Sequence, residues 1–203
     1  HRSPSAGEIL PGAEGKVETV ALAYRRGRAA AISVVTDEDH FGGKPEWLSR
    51  AKRVSGLPVL MKDFFLSESQ LDFAVSLGAD AVLLIVRALP PADLAALAGA
   101  AKQRGLATVV EAHGAEEIGA AAAVAPDVLG INSRNLADFS TDLAAMETLA
   151  SKIPPGPVRL AESGIGGGGD VRRLKDAGYD AFLVGEALLR AENPERALMD
   201  LQA

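Results

Sequence analysis

The stretch SESQLDFAVSLGADAVLLIV, residues 67–86, contains a helix pattern and a strand pattern joined at one glycine. Leu71 and Ala74 recur at the spacing of the apolar face of a helix, and Gly78 stands where helices commonly end in a left-handed residue. The apolar run at residues 81–86 follows at once and does not alternate with polar residues, which indicates a strand covered on both faces. The stretch therefore predicts a helix that packs on a buried parallel strand.

The same alternation of helix and strand patterns runs through the whole chain. Apolar runs of strand length recur, and helical patterns such as the one at residues 90–104 lie between them. The junction at residues 77–80 is repeated at residues 177–180, again with a glycine before an aspartate. Since no linker-like break interrupts the series, residues 1–203 are predicted to form a single α/β domain. The predicted strands are residues 29–35, 58–61, 81–86, 107–110, 128–131, 158–161 and 181–184.

Composition limits the class of protein. A chain of 203 residues with 48% hydrophobic residues is large and apolar enough for one compact domain, and 4% aromatic residues suits helices packed closely on a parallel sheet. The net charge of -6 opposes non-specific binding to nucleic acid. No apolar run approaches the roughly 20 residues of a membrane span. We therefore expect a cytoplasmic protein that binds neither nucleic acid nor membrane.

Metal and disulfide chemistry find little support in the sequence. The chain has no cysteine, which excludes disulfides and thiolate metal sites. His1, His40 and His113 show no metal-ligand spacing and are expected on the surface or in loops. We predict that no metal is bound.

Polar residues at the ends of the predicted strands decide between two parallel folds. In a (β/α)8 barrel the carboxyl ends of all strands converge on one site, whereas an open doubly wound sheet scatters them. Most of the predicted strands here end in a polar residue, which favours the barrel. These residues are Thr36, Lys62, Glu111, Asn132 and Glu162.

A charged residue that ends an apolar strand is costly unless it has a partner. In the simpler interpretation, Lys62 and Glu111 form a salt bridge at the rim of the barrel. In the functional interpretation, a cation and carboxylates share a dry pocket and adjust one another's pKa for acid and base chemistry. Asn132 and Glu162 repeat the placement on later strands, which favours a catalytic site.

Two glycine-containing segments near the end of the chain indicate a phosphate site. The loop at residues 163–170 precedes a helix predicted at 171–177, and residues 185–188 begin a short helix after the last strand. Backbone N–H groups at such helix starts bind phosphate in many barrels, although the glycines could also serve only as tight turns. Gly164-x-Gly166-x-x-Gly169 matches a dinucleotide fingerprint, but no second nucleotide-binding half follows it. Ser163 lacks the preceding glycine of a hydrolase nucleophile.

Several blocks of sequence, taken together, strongly resemble the indole-3-glycerol phosphate synthase family, and the resemblance spans the whole chain. Residues 61–64 (MKDF) and 132–136 (NSRNL) are the blocks most specific to that family among phosphate-binding barrels. The complete set is Ser3-Pro4-Ser5 and residues 33–37, 41–43, 58–64, 111–113, 130–136, 161–165 and 184–188.

The resemblance implies an enzyme of tryptophan biosynthesis. Members convert 1-(2-carboxyphenylamino)-1-deoxyribulose 5-phosphate to indole-3-glycerol phosphate, releasing CO2 and water without a metal or organic cofactor. By resemblance, Lys62 is the general acid at the substrate carbonyl and Glu111 acts in the proton transfers, while Asn132 and Glu162 hold polar groups of the substrate. The order of the carboxylates in these transfers stays open. Fusion or association with other enzymes of the pathway is a further expectation.

The resemblance also implies the residues that bind the two ends of the substrate. An aromatic acid needs apolar walls, and a phosphate needs hydrogen-bond donors. Closure of the loop at residues 41–43 is expected to exclude water, although two of the wall residues, Phe41 and Phe64, could instead be core residues. The apolar pocket is predicted at Phe41, Phe64 and Leu83, and the phosphate site at Ser3, Arg134, Ser163, Gly164, Gly185 and Glu186.

Two features depart from the family pattern. The family has a strand ending in Glu-x-Lys just before the Ser-Pro-Ser block, whereas the present sequence starts at His1. We expect that strand and a helical extension to precede residue 1 in the parent protein, and we expect a polypeptide that begins at residue 1 to be inactive and poorly stable. The glycine run at residues 166–169 is expected to weaken phosphate binding through ordering entropy.

Two rival functions fit parts of the sequence. Another phosphate-binding barrel, such as a phosphoribosyl-anthranilate isomerase, would be expected to use a Cys or an Asp pair, and the chain has no Cys. A non-catalytic barrel would suit the absence of a first strand but not the charged residues at the strand ends. The pair Lys62 and Glu111 fits the synthase better than either rival.

Overall fold

The computed structural model describes residues 12–134 and 140–203, together with the backbone of residues 2–3 and 7–8. Two very short strands form a small antiparallel ladder of their own, which the sequence did not predict. All other described strands belong to one sheet. The strands are β1 Arg2–Ser3, β2 Gly7–Glu8, β3 Ile32–Val35, β4 Val59–Lys62, β5 Ala81–Ile85, β6 Ala107–Ala112, β7 Val128–Asn132, β8 Val158–Glu162 and β9 Ala181–Leu183.

Helices follow the strands of the sheet and cover its outer face. Two 3-10 turns, Ala13–Gly15 and Val86–Ala88, supplement them. None of the helices within the described ranges is long and apolar enough to cross a membrane. The helices are α1 Val17–Arg26, α2 Glu46–Ser55, α3 Glu68–Leu77, α4 Pro91–Gln103, α5 Ala115–Ala123, α6 Leu143–Ala150, α7 Gly168–Ala177, α8 Glu186–Arg190 and α9 Pro194–Leu201.

The main sheet has seven strands, all parallel, in the sequential order β3 to β9. A doubly wound sheet reverses its strand order at a switch point, and no such reversal occurs here. The predicted barrel-type topology is therefore confirmed. The first predicted strand begins at Ile32 rather than at residue 29, because the backbone N–H of Ala29 donates to Tyr24 O and closes the end of α1.

Alternation along the strands separates two apolar layers. One residue in two faces outward and packs under the helices, as Val59 and Met61 do in β4. The residues between them face the inside of the curled sheet, where Leu60, Leu83 and other apolar side chains form a separate cluster. Both layers are buried, which is why the strands read as continuous apolar runs.

Local signals set the limits of several elements, and two glycines end helices as predicted. Gly78 and Gly178 end α3 and α7 in the left-handed conformation, with φ of 83° and 108°. Ser67 begins α3 as the first residue of a capping box with Gln70, which satisfies two backbone N–H groups at the helix start. α7 begins earlier than predicted, at Gly168, so part of the glycine run lies in its first turn.

Aspartates hold the amino ends of the strands, opposite to the end at which Lys62, Glu111 and Glu162 stand. Asp80 accepts a hydrogen bond from the backbone N–H of Val59 at 2.8 Å, and Asp127 accepts one from Thr108 at 2.8 Å. Asp180 repeats the contact with the N–H of Arg159. Each aspartate immediately precedes a strand and holds the start of the preceding one. These contacts fix the order of neighbouring strands at the amino end of the sheet.

The sheet curls but its edge strands β3 and β9 are not paired with each other. Between them opens an apolar cavity of about 1200 Å³, lined by side chains of both edges and by inward-facing residues such as Leu60 and Val109. The described residues leave the place of one strand between β3 and β9 unfilled. The described part of the chain thus has the architecture of a (β/α)8 barrel in which the position of the first strand is unfilled, as the sequence predicted.

Candidate active site

Three charged side chains meet at the carboxyl end of the sheet. Lys62 Nζ lies 3.5 Å from Glu111 Oε2 and 3.6 Å from Glu162 Oε2. The carboxylates are buried, with 4% and 1% of their side chains exposed, whereas the Lys62 side chain is 28% exposed. The cation therefore lies at the opening of the site and the two acids lie beneath it.

The strand period explains how residues far apart in the chain come together. Each charged residue stands two positions after an apolar residue of the inner cluster, which consists of Leu60, Leu83, Val109 and Leu160. Lys62 follows Leu60, Glu111 follows Val109 and Glu162 follows Leu160. Because side chains alternate along a strand, the charged residues face the same way as that cluster. They form the next layer up, at the ends of β4, β6 and β8.

The two carboxyl groups differ in their readiness to ionise. Burial and the neighbouring charge of Glu111 raise the pKa of Glu162 well above its ordinary value. Burial acts in the same sense on Glu111, but the Lys62 ammonium, His113 and the Asn132 amide together hold its pKa below the ordinary value. For Lys62, burial disfavours the ammonium, yet the two carboxyl groups raise its pKa overall. The arrangement favours an ammonium, a carboxylate and a protonated acid side by side.

Gly130 makes room for Glu162. It lies inward on β7, and a Cβ at this position would overlap Glu162 Oε1. A glycine inside a strand often marks such a close approach, so this signal was present in the sequence although Gly130 was not singled out. The absence of a side chain here lets the acid lie fully inside the barrel.

Asn132 joins the charged cluster to the following loop. It ends β7 opposite Glu162 in the register of the sheet, and its Oδ1 accepts a hydrogen bond from the backbone N–H of Arg134 at 3.0 Å. The Arg134 guanidinium reaches across to Glu186 Oε2 at 3.9 Å, at the start of α8. The loop after β7 and the helix after β9 are therefore in contact.

The segments predicted to bind phosphate lie at this same end of the sheet. Ser163 and Gly164 follow Glu162 with φ of 69° and 74°, and the Ser163 carbonyl accepts a hydrogen bond from Ser133 Oγ at 3.1 Å. Gly185 precedes the first turn of α8, whose backbone N–H groups have no partner within the helix. The Ser3 side chain, together with Asn135 and Leu136 of the family block, lies outside the described residues.

The three residues predicted to line the apolar pocket lie at two different levels of the barrel. Phe41 and Phe64 lie in the loops after β3 and β4, partly exposed, with ring centroids 6.2 Å apart in a stacked arrangement. They are loop residues at the carboxyl end and not part of the main core. Leu83 is buried in the inner cluster and pairs with Val109, one layer below Glu111.

The two histidines in the described residues both lie in loops, but they differ in exposure. The His40 side chain is 69% exposed, as expected, but only 4% of the His113 side chain is exposed. Its Nε2 lies 3.3 Å from Glu111 Oε1. His113 therefore occupies a loop, one of the two predicted positions, but its side chain is enclosed beside the site rather than exposed. The described residues contain no group of three or more His, Cys, Asp and Glu placed to hold a metal ion.

A parallel barrel-type sheet that collects an ammonium and two unequal carboxyl groups at the carboxyl ends of its strands defines an acid–base enzyme of the (β/α)8 class. The family model of indole-3-glycerol phosphate synthase matches residues 1–201. The chain belongs to the indole-3-glycerol phosphate synthase family, whose members are decarboxylating lyases.

Relatives from several bacteria agree with this assignment. Indole-3-glycerol phosphate synthase 2 from Ralstonia nicotianae is 45% identical over 98% of this chain and 74% of its own length. Indole-3-glycerol phosphate synthase 2 from Streptomyces coelicolor and indole-3-glycerol phosphate synthase from Geobacillus kaustophilus are each 44% identical over 98% of this chain and 77% of theirs. The chain thus spans about three quarters of the length of these relatives.

Solved structures of lower identity share the fold. Orotidine 5'-phosphate decarboxylase from Pyrococcus horikoshii superposes with a TM-score of 0.74 at 17% identity, over 94% of this chain and 95% of that one. Thiamine phosphate pyrophosphorylase from Pyrococcus furiosus has a TM-score of 0.68 at 21% identity, over 92% and 87%. At such identities the likeness shows the barrel architecture alone.

Proposed function

We propose that this chain converts 1-(2-carboxyphenylamino)-1-deoxyribulose 5-phosphate to indole-3-glycerol phosphate with loss of CO2 and water. The observation that carries the proposal is the position of the Lys62 ammonium between two buried carboxyl groups with opposite pKa shifts. The reaction needs both a proton donor and a base within reach of one carbonyl carbon and its neighbours, and this cluster offers both.

Lys62 is the general acid of ring closure in this proposal. As the ring carbon that bears the carboxylate attacks the substrate carbonyl, the developing oxyanion takes a proton from the ammonium, and CO2 then leaves as the ring regains aromaticity. Lys62 is the most exposed of the three charged groups, so the substrate meets it first. Its raised pKa keeps it protonated before the substrate binds.

The two acids divide the proton transfers of dehydration. Glu111, with its lowered pKa, is the base that takes a proton from the carbon beside the nitrogen. Glu162, with its raised pKa, holds a proton at neutral pH and supplies it to the departing hydroxyl as water forms. The Asn132 amide contributes to the lowered pKa of Glu111, and Asn132 holds polar groups of the substrate. Carboxyl groups with separated pKa values commonly divide base and acid roles in this way.

The two ends of the substrate are assigned to opposite sides of the opening. We assign the phosphate to the backbone of Ser163, Gly164, Gly185 and Glu186, to Arg134, and to Ser3 in the segment outside the described side chains. The stacked rings of Phe41 and Phe64 form the apolar wall for the carboxyphenyl group, with Leu83 beneath it. Arg134 already contacts Glu186 and is well placed to exchange that partner for a phosphate.

The cellular setting completes the proposal. We place the protein in the cytoplasm as a single barrel domain over residues 1–203, in fusion or association with other enzymes of tryptophan biosynthesis. The continuous sheet from β3 to β9 supports the single domain. Copurification of pathway enzymes with a tagged copy from native cells tests the association.

Lys62→Ala tests the function directly. In the full-length gene product, kcat/KM for the carboxyphenylamino-deoxyribulose phosphate should fall by about 100-fold or more, because general acid catalysis contributes roughly 100-fold to 10,000-fold. Turnover is followed by the fluorescence of indole-3-glycerol phosphate. Lys44→Met is the matched control, since Lys44 lies on the surface in an ion pair with Glu14, and its activity should equal that of wild type.

The outcome also separates the rival functions. Wild type that binds phosphate without forming the indole product would refute the synthase proposal and favour a binding module. Isomerisation of phosphoribosyl anthranilate by the same preparation would favour the isomerase. Loss of product formation in Lys62→Ala, with Lys44→Met unaffected, supports the synthase.

A further inference from the structure

His113 connects the site to the helices outside the sheet through a chain of close polar contacts. Its Nε2 lies 3.3 Å from Glu111 Oε1, and its Nδ1 lies 3.6 Å from Glu117 Oε2. Glu117 belongs to α5 and is clamped from the other side by Arg87, whose Nε and Nη2 donate to its Oε1 at 3.0 and 2.7 Å. The imidazole therefore stands between a carboxylate of the site and a carboxylate of the helix layer.

The His113 ring is held in place by its own backbone. The backbone N–H of His113 donates to Glu117 Oε2 at 2.8 Å, which ties the end of β6 to the first turns of α5. Neither ring nitrogen completes a hydrogen bond within the described part of the chain. A buried imidazole without such bonds is costly, so packing alone gives no reason for a polar ring at this position.

The charge state of the imidazole follows from its neighbours. The titratable and charged groups that face it are Glu111 from β6, Glu117 from α5 and Arg87 from the turn after β5. Burial lowers the pKa of His113 and outweighs the two carboxylates, while Arg87 acts in the same sense as burial. The ring is neutral at neutral pH and carries one N–H. The N–H points at Glu111 only in the tautomer in which Nε2 carries the proton.

We propose that His113 is a positioning residue for the reaction: its Nε2–H faces Glu111 Oε1 and leaves Oε2 directed at Lys62. The two oxygens of Glu111 are thereby divided, since Lys62 Nζ lies 3.5 Å from Oε2. Glu117, held by Arg87, lies against the Nδ1 side of the ring, away from Glu111. The inference rests on the proposed function and adds a residue to the site that touches no substrate.

A polar pair of variants separates positioning from packing. In His113→Gln the side-chain amide nitrogen reaches the place of Nε2, whereas in His113→Asn it stops near the place of Nδ1. We expect kcat to fall about tenfold in His113→Asn, the equivalent of about one pKa unit of lost interaction with Glu111, with KM within about twofold of wild type. His113→Gln should retain kcat within about threefold.

The pH profile gives the readout that packing would not move. Glu111 must be ionised to act as a base, so kcat/KM falls at low pH as Glu111 takes up a proton. Without the N–H of His113 the pKa of Glu111 rises, and the acid limb of the profile should move to higher pH in His113→Asn but not in His113→Gln. Glu116→Gln, an exposed change on α5, is the control and should match wild type.

Two results would overturn the inference. One is a His113→Asn profile that superimposes on that of wild type; the other is equal impairment of both variants with an unmoved acid limb. Thermal unfolding of each variant identifies a loss of folded protein. If His113→Asn is unfolded, an acid limb of His113→Gln that coincides with that of wild type supports the inference, and a displaced one contradicts it. Absence of turnover in wild type would instead refute the proposed function and leave no profile to compare.

Discussion

At the scale of single residues, the site depends on a missing side chain as much as on the charged ones. Gly130 faces inward on β7, directly beside the place that the Glu162 carboxyl group occupies. The acid is buried because its neighbour on the adjacent strand has no Cβ. Protonation of Glu162 follows from that burial together with the charge of Glu111.

Gly130→Ala should displace Glu162 and lower kcat/KM at least about tenfold, because a positioned acid or base contributes roughly 100-fold or more and a displaced one loses part of that. The assay is the same product fluorescence. Gly99→Ala is the matched control: Gly99 lies inside α4 with open space where a Cβ would be. It should keep full activity and gain about 0.5–1 kcal/mol of stability. Wild-type kcat/KM in Gly130→Ala would contradict this account of Glu162.

At the scale of elements, the two ends of the strands have different tasks. The carboxyl ends carry the charged cluster, and the amino ends carry the aspartates that pin the preceding strand. Asp127 shows the arrangement most fully, since it accepts from both the backbone N–H and the Oγ1 of Thr108, at 2.8 and 3.1 Å. In barrels of this class, stability at the amino ends is separable from catalysis at the carboxyl ends.

Asp127→Ala is expected to lower the free energy of unfolding by about 1.5–3 kcal/mol, because a charged acceptor is lost and the buried Thr108 groups lose their partner. Chemical denaturation measures the change. At a temperature where the variant is folded, kcat should be unchanged. Asp176→Ala, an exposed change on α7, should leave stability within about 0.5 kcal/mol of wild type. A loss of kcat without a loss of stability in Asp127→Ala would contradict the separation of tasks.

At the scale of the whole molecule, the buried acids link stability to pH in opposite directions. The pKa of Glu111 is lowered in the folded state, so its contribution is present above its unfolded pKa and is lost as the pH falls through the folded value. The pKa of Glu162 is raised from an ordinary 4.5. Its contribution is therefore complete below that value and is lost as the pH rises through the folded value.

Glu162→Gln isolates the second effect. The stability of wild type relative to this variant should decline between about pH 5 and about pH 9, by at least about 1.4 kcal/mol, the worth of one pKa unit. Denaturant unfolding at several pH values measures the difference. Gly99→Ala, which changes no titratable group, should show a difference that does not vary with pH. A constant difference for Glu162→Gln as well would show that Glu162 is ionised in the folded state.

Much of the fold was readable from the chain because local and non-local signals agree. Each of the seven predicted strands is present, since a strand covered on both faces must be apolar throughout. Gly78 and Gly178 end helices where predicted, because the left-handed conformation costs a glycine little. The limits of β3 and α7 were less accurate, since the bond from Ala29 to Tyr24 and the helical start at Gly168 depend on contacts that no periodicity reports.

By itself, the sequence determined the parallel barrel class, the family and the identity of the residues at the strand ends, because two-residue periodicity brings Lys62, Glu111 and Glu162 into phase. Only the tertiary structure decided the distances between these groups, the opposite pKa shifts of the two acids and the burial of His113. These properties arise from neighbours on other strands and helices. Charge, desolvation and close approach act through space, and a residue's neighbours in space are not its neighbours in the chain.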